Sequence, residues 1–166
     1  MKGQANFIDF VIALGIFLLI LFIFINFNQS QKTDFLLMDE ALMISDAILS
    51  PGIPLNWTET EYYRPGIMQN NSLSAQRWES LNNIMLVNST ELKSRYTLLS
   101  DFMLRLGNYT DGVFVVTEIN GISYITTDSS ITPGNIMDQS FRRIDRIERA
   151  VSFNGSILIM EVIAWR

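Results

Sequence analysis

MKGQANFIDFVIALGIFLLILFIFINFNQS, residues 1–30, is a short polar head followed by a run in which every residue from 10 to 25 is apolar or glycine, with Phe7, Ile8 and Phe27 extending it at either end. At ~1.5 Å of rise per residue, about 18 to 20 such residues make a helix of roughly 27 to 30 Å, close to the hydrocarbon thickness of a bilayer. The expectation is a helix that can span a membrane. Two features set it apart from an ordinary anchor. Lys2-Gly3-Gln4 stands at the water-facing head, and Asp9 lies inside the apolar flank, where a carboxylate near the bilayer centre costs about 2.5–3.5 kcal/mol and asks for a partner.

The run is longer than the h-region of a secretory signal, about 7 to 15 residues, and Ile25-Asn26-Phe27-Asn28 offers no small-x-small cleavage site, so the helix is expected to be retained. Lys2 on the short side orients the head to the cytoplasm and the body outside. After a polar joint at 28–32, residues 33–49 read as an amphipathic helix. Phe35, Met38, Leu42 and Leu49 fall on one side, and Asp34, Asp39, Glu40 and Asp46 on the other. No Gly or Pro separates the two parts, so one helix from about residue 5 to 49 is expected, stopped by Ser50-Pro51-Gly52.

Beyond it, Trp57, Tyr62 and Tyr63 sit in an irregular stretch and are available to cover the edge of a core. Residues 74–83 predict a short helix carrying Trp78 and Leu81. Residues 90–106 predict a longer one, opened by the capping pair Asn88 and Glu91 and ended by Gly107, with Leu92, Tyr96, Leu99, Phe102 or Met103, and Leu106 along its buried side. The last third changes to period two. Residues 113–119 and 122–127 flank Asn120-Gly121, and 141–153 and 156–165 flank Asn154-Gly155, which predicts two antiparallel hairpins. The fold class expected is α+β: a long N-terminal helix, membrane half plus amphipathic half, packed on a roughly four-stranded antiparallel sheet with one or two further helices.

Inventory excludes much chemistry. The 166 residues contain neither Cys nor His, which removes disulfides, thiolate nucleophiles, His-based triads and Cys/His zinc sites. The net charge is −5, and the basic residues at 142–149 are interleaved with Asp145 and Glu148, so nucleic acid is not an expected partner. Glu59, Glu61, Asp101, Asp111, Asp128 and Asp138 are available as acid/base groups but form no recognisable constellation, and there is no phosphate loop or EF-hand pattern. No catalytic residue, metal ligand or cofactor is assigned. Six sequons occur, at Asn28, Asn56, Asn70, Asn88, Asn108 and Asn154, all after the apolar run. They read either as Asn-rich turns or as N-glycosylation acceptors on an exported domain.

Assembly follows from physics. Lipid tails are about as apolar as Leu, so a helix leaving lipid for a bundle of copies needs packing and polar pairing. Phe7, Phe10 and Phe17 supply large surfaces, Gly15 permits close approach, and Asp9 can meet a neighbour's amine. Head-to-tail contacts that do not close generate a filament.

With Lys2-Gly3-Gln4 at the head, Asp9 just inside the apolar helix and a C-terminal antiparallel sheet, the chain resembles the archaeal type IV pilin-like proteins with a class III signal peptide. The resemblance implies a pilin-like fold and a prepilin peptidase that cuts between Gly3 and Gln4, Lys2 preceding the cut. It implies residues 1–3 as leader, 4–28 as a transmembrane and filament-core helix, and 29–166 as an extracytoplasmic α+β domain that includes the amphipathic half of the helix. The family's acid lies near the fifth mature position, which here is Ile8, with Asp9 one later. The function implied is a structural subunit, a minor one, of a type IV pilus-like surface filament. Its partners are then the peptidase, other pilin subunits and the membrane. Its location is the cell membrane as a single pass with the C-terminal domain outside, then the surface filament. The competing expectation is a single-pass anchored adhesion or envelope-binding protein.

Overall fold

A computed structural model describes residues 10–26, 36–137, 139–141 and 143–166; for 2–9, 27–35 and 138 it gives the backbone assignment alone. The chain divides into two compact units, one up to Leu36 and one from Leu37 to Arg166. Helix α1 (Lys2–Ile48) contributes to both.

The fold class expectation needs correction at the N-terminus. Among the described residues, no helix is long and apolar enough to cross a membrane. The membrane half of the expected fold therefore does not stand. Two further differences concern the sheet and the helices: the sheet has five strands rather than roughly four, and the short helix expected at 74–83 runs on into the start of the longer one as a single helix ending at Arg95.

In the second unit, α1 buries Leu37, Ala41, Ile44 and Ile48, spaced four, three and four apart as one face of a helix requires. The expected stripe of Met38, Leu42 and Leu49 is off by about one residue. Met38 is exposed, and Leu42 and Leu49 only half-buried. The turn after α1 is tight. Ser50 Oγ donates to Ala47 O at 2.6 Å and accepts from Gly52 N at 3.1 Å. Gly52 sits at φ +80, where a Cβ would also lie 2.5 Å from the Trp57 ring. Trp57 is buried there and donates Nε1 to Gly66 O at 2.9 Å.

A small hairpin, β1 (Met68–Gln69) and β2 (Ser72–Leu73), leads into α2 (Ala75–Arg95). Ser74 caps α2 through its side chain to Arg77 N at 3.4 Å. At Asn88 the backbone leaves helical geometry (φ −148, ψ 48), and its side-chain amide donates to Glu91. Asn88 and Glu91 do meet, but through amide and carboxylate rather than as a cap on backbone N–H groups, and the pair sits at a kink within one helix instead of opening a second. Trp78, Leu81, Ile84, Met85 and Leu92 are its buried residues.

The chain then reverses at Thr97, φ +57, and enters β3 (Asp101–Thr110), whose residues 101–106 fall in the stretch that the spacing predicts as helix. Phe102, Leu104 and Leu106 alternate toward the main core, so period two prevails over the helical spacing. Gly107 is a close-approach residue in this strand: an added Cβ would lie 2.2 Å from Val115 O. β4 (Val113–Val116) follows Asp111-Gly112 and pairs with β3, as does β5 (Tyr124–Thr126). Asn120-Gly121 does make a left-handed tight turn, but only Ile119 and Ile122 bridge across it. The expected 113–127 hairpin is therefore replaced by two strands that each join β3.

After a 3-10 turn (Ile136–Asp138), β6 (Ile144–Phe153) and β7 (Ser156–Trp165) form a ten-residue hairpin through Asn154-Gly155. The sheet order is β4-β3-β7-β6, with β5 also on β3, all antiparallel. One face carries Leu158, Met160, Val162 and Ala164 into the core with α1 and α2. The other buries Met103, Ile163 and Trp165 beneath Ile131 and Ile136, with Phe141 5.6 Å from Trp165, centroid to centroid.

Tyr96, nine-tenths or more buried at the end of α2, donates its hydroxyl to Pro65 O. Burial pushes its hydroxyl well above the usual value of about 10. The folded state then holds this proton where the unfolded chain releases it, so the contribution is complete below about pH 10 and is lost as pH rises beyond it. Tyr96→Phe is expected to flatten the alkaline limb of the stability profile and to cost about 0.5–1.5 kcal/mol at neutral pH. Urea titrations of both proteins from pH 7 to 11 check this; parallel profiles would refute it.

Candidate functional site

Among its described residues, 10–26, the first unit presents an apolar surface. From Phe10 to Ile25 the described large side chains point outward at all angles around α1, with Phe10, Phe17 and Phe22 each more than half exposed. Ordinary surface helices keep a polar face; this one has none between 10 and 25. Gly15 leaves a gap in the ring, and nothing lies within 4 Å of a Cβ placed there. At the end of the run Asn26 turns its amide back to Phe22 O at 2.8 Å, so the first polar side chain is satisfied by its own helix. Of the residues expected to take part in processing or assembly, Phe10, Gly15 and Phe17 are on this surface. Lys2, Gly3, Gln4, Phe7 and Asp9 lie outside the described residues, as does the sequon Asn28.

The other five sequon asparagines, Asn56, Asn70, Asn88, Asn108 and Asn154, are all exposed. Asn70 (φ 52) and Asn154 (φ 50) occupy left-handed turn positions, which Asn tolerates better than other side chains with a Cβ. Turn chemistry and a glycan acceptor are thus compatible at the same residues.

The acidic candidates are scattered and mostly engaged. Asp101 accepts from Lys93 Nζ at 2.7 Å and from Thr127 at 2.9 Å, Glu59 from Asn83 at 2.9 Å, and Asp128 from the backbone and hydroxyl of Ser130. Among the described residues no group of acidic side chains is placed to hold a metal ion. Asp138 has its side chain outside the described residues.

Sequence reasoning missed two carboxylates. Glu40, expected to face solvent, accepts from the backbone N–H groups of Leu99 and Ser100, from the Ser100 hydroxyl and from Arg166 Nη2 at 3.0 Å. It joins α1 to the turn before β3 and to the chain's last residue. Glu161, fully buried in β7, pairs with Arg105 on β3, while Arg146 Nη1 on β6 lies 2.9 Å away. Arg105 in turn lies over the Phe114 ring at 4.8 Å. The only advance signal was register: Glu161 alternates with Ile163 and Trp165 on one sheet face. No family model, no curated protein and no solved structure matches the chain.

Proposed function

We propose that this protein is a structural subunit, a minor one, of an archaeal type IV pilus-like surface filament, and that it assembles through the apolar N-terminal part of α1. The observation that supports the reading is the apolar surface of α1 between residues 10 and 25, exposed on every side in the single chain. Such a surface does not rest in water, where burial is worth about 25 cal/mol per Å² of apolar area. Copies of the same helix are a matching cover, because each can bury its whole circumference in a bundle. The sequence from Leu37 onward builds a separate compact unit, suited to the outside of such an assembly. The five exposed sequon asparagines are then glycan acceptors on that outer surface.

Processing by a prepilin peptidase belongs to this reading, with Lys2 and Gly3 removed and Gln4 left as the first residue. Mass spectrometry of the N-terminus of the protein isolated from its own cells tests it directly. Gln4 as the first residue, with 4–30 retained, is the expected result. A native protein that still begins Met1-Lys2-Gly3 removes the proposal.

A further inference from the structure

A cleft of about 390 Å³ opens between α2 and β5 in the second unit, within the range of about 300–1,000 Å³ typical of small-molecule sites. None of its lining residues carries a charge at neutral pH. Its floor is apolar, with Met85 buried and Ile122 half-buried. Around this floor stand Asn82, Ser89, Tyr124 and Ser129, whose side chains hydrogen-bond to no described residue. The remaining hydroxyls of the cleft are tied up within the chain. The first three of the four free groups are half-buried, so each gives up part of its hydration without gaining a protein partner.

We infer that this cleft binds a neutral carbohydrate, at the level of a mono- or disaccharide unit. Hydroxyls and a carboxamide donate and accept equally well, as a sugar's hydroxyls require, whereas phosphate or carboxylate ligands would call for cationic groups. The apolar floor of Met85 and Ile122 matches the C–H face of a pyranose, which is apolar although its rim is not, while the Tyr124 ring packs against the second core cluster and offers the cleft its hydroxyl alone. A lining without charge at neutral pH also makes the interaction insensitive to salt. The inference does not rest on the filament reading, because recognition lies wholly within the second unit and needs one chain.

The test uses the full chain dispersed in mild detergent. Saturation-transfer NMR and calorimetry are run against glucose, galactose, mannose and N-acetylglucosamine, their disaccharides, and glucuronic acid as the charged comparator. At least one neutral sugar is expected to bind with Kd on the order of 1 mM or tighter. Asn82→Ala and Tyr124→Phe, which removes only the free hydroxyl, should each weaken it about fivefold to tenfold. Ser129→Ala, at an exposed position, serves as the variant least able to disturb folding and should weaken it measurably. Glu59→Ala, in a different cleft, should leave binding unchanged. Absence of binding by every neutral sugar, binding by glucuronic acid alone, or binding indifferent to all three cleft variants overturns the proposal.

Discussion

Trp78→Ala is expected to destabilise the second unit by about 3–5 kcal/mol, the range for truncating a buried aromatic side chain to a methyl group. Trp78 has no exposed surface and belongs to the core shared by α1, α2 and the sheet. Domains of this size are stable by about 5–15 kcal/mol, so one substitution removes a large fraction of the total. The indole N–H adds a finer expectation. It is buried and has no hydrogen-bond partner among the described residues, a defect that ordinarily costs about 1–3 kcal/mol. Trp78→Phe removes the defect along with part of the ring, so its net loss should be well below that of the alanine variant. Urea unfolding of the full chain, followed by the fluorescence of Trp57 and Trp165, measures both. A loss below about 1 kcal/mol for the alanine variant would show that the α2 packing is wrong.

Phe17→Lys should abolish filament formation while leaving the second unit folded. Phe17 contributes a large exposed apolar surface in the first unit and is not a member of the second unit's core. A cation placed in an all-apolar bundle costs about 2.5–3.5 kcal/mol even on insertion scales, and each 1.4 kcal/mol is a factor of ten in association. The penalty recurs at every added subunit. Sedimentable filaments counted by electron microscopy should therefore be missing, with urea unfolding unchanged. Gly15→Leu makes a sharper companion, since a Cβ there meets nothing in the single chain. Any effect of that variant on assembly arises between copies. Normal filaments from Phe17→Lys would refute assembly through this helix.

Local signals proved legible where they were closed within a few residues. Asn154-Gly155 pins the β6–β7 register, because both φ values are positive and a type I′ turn accepts no other spacing. The same dipeptide at 120–121 turns the chain just as tightly, yet the strands on either side find better partners along β3. β3 itself was hidden because Leu92, Tyr96, Leu99, Met103 and Leu106 satisfy helical spacing, while Phe102, Leu104 and Leu106 satisfy alternation. Burial by α1 and α2 selects the second. Gly107 marks a close strand contact, although a glycine at that point also reads as a helix stop.

The apolar run at 10–25 was plain from composition, but a membrane span was an inference from it, and among the described residues no helix is long and apolar enough to cross a membrane. The cleft was not legible at all. Its polar groups come from α2 and from the chain around β5, and each of them alone is an ordinary surface residue. Glu40 and Glu161 were obscured for a related reason. A carboxylate reads as solvent-facing until the arginine and backbone N–H groups that satisfy it are brought in from distant sequence.

The Glu40 junction also bears on how the molecule carries force. A pull on α1 at Leu37 is met by Glu40 held to Leu99, Ser100 and Arg166, by Arg149 held to Ser45 and Asp46, and by the row Leu37, Ala41, Ile44 and Ile48. These contacts are distributed along the helix and are loaded together in shear, so they do not open one after another like a zipper. Resistance under tension then depends on the barrier to sliding the whole helix segment off the sheet, a rate property distinct from equilibrium stability.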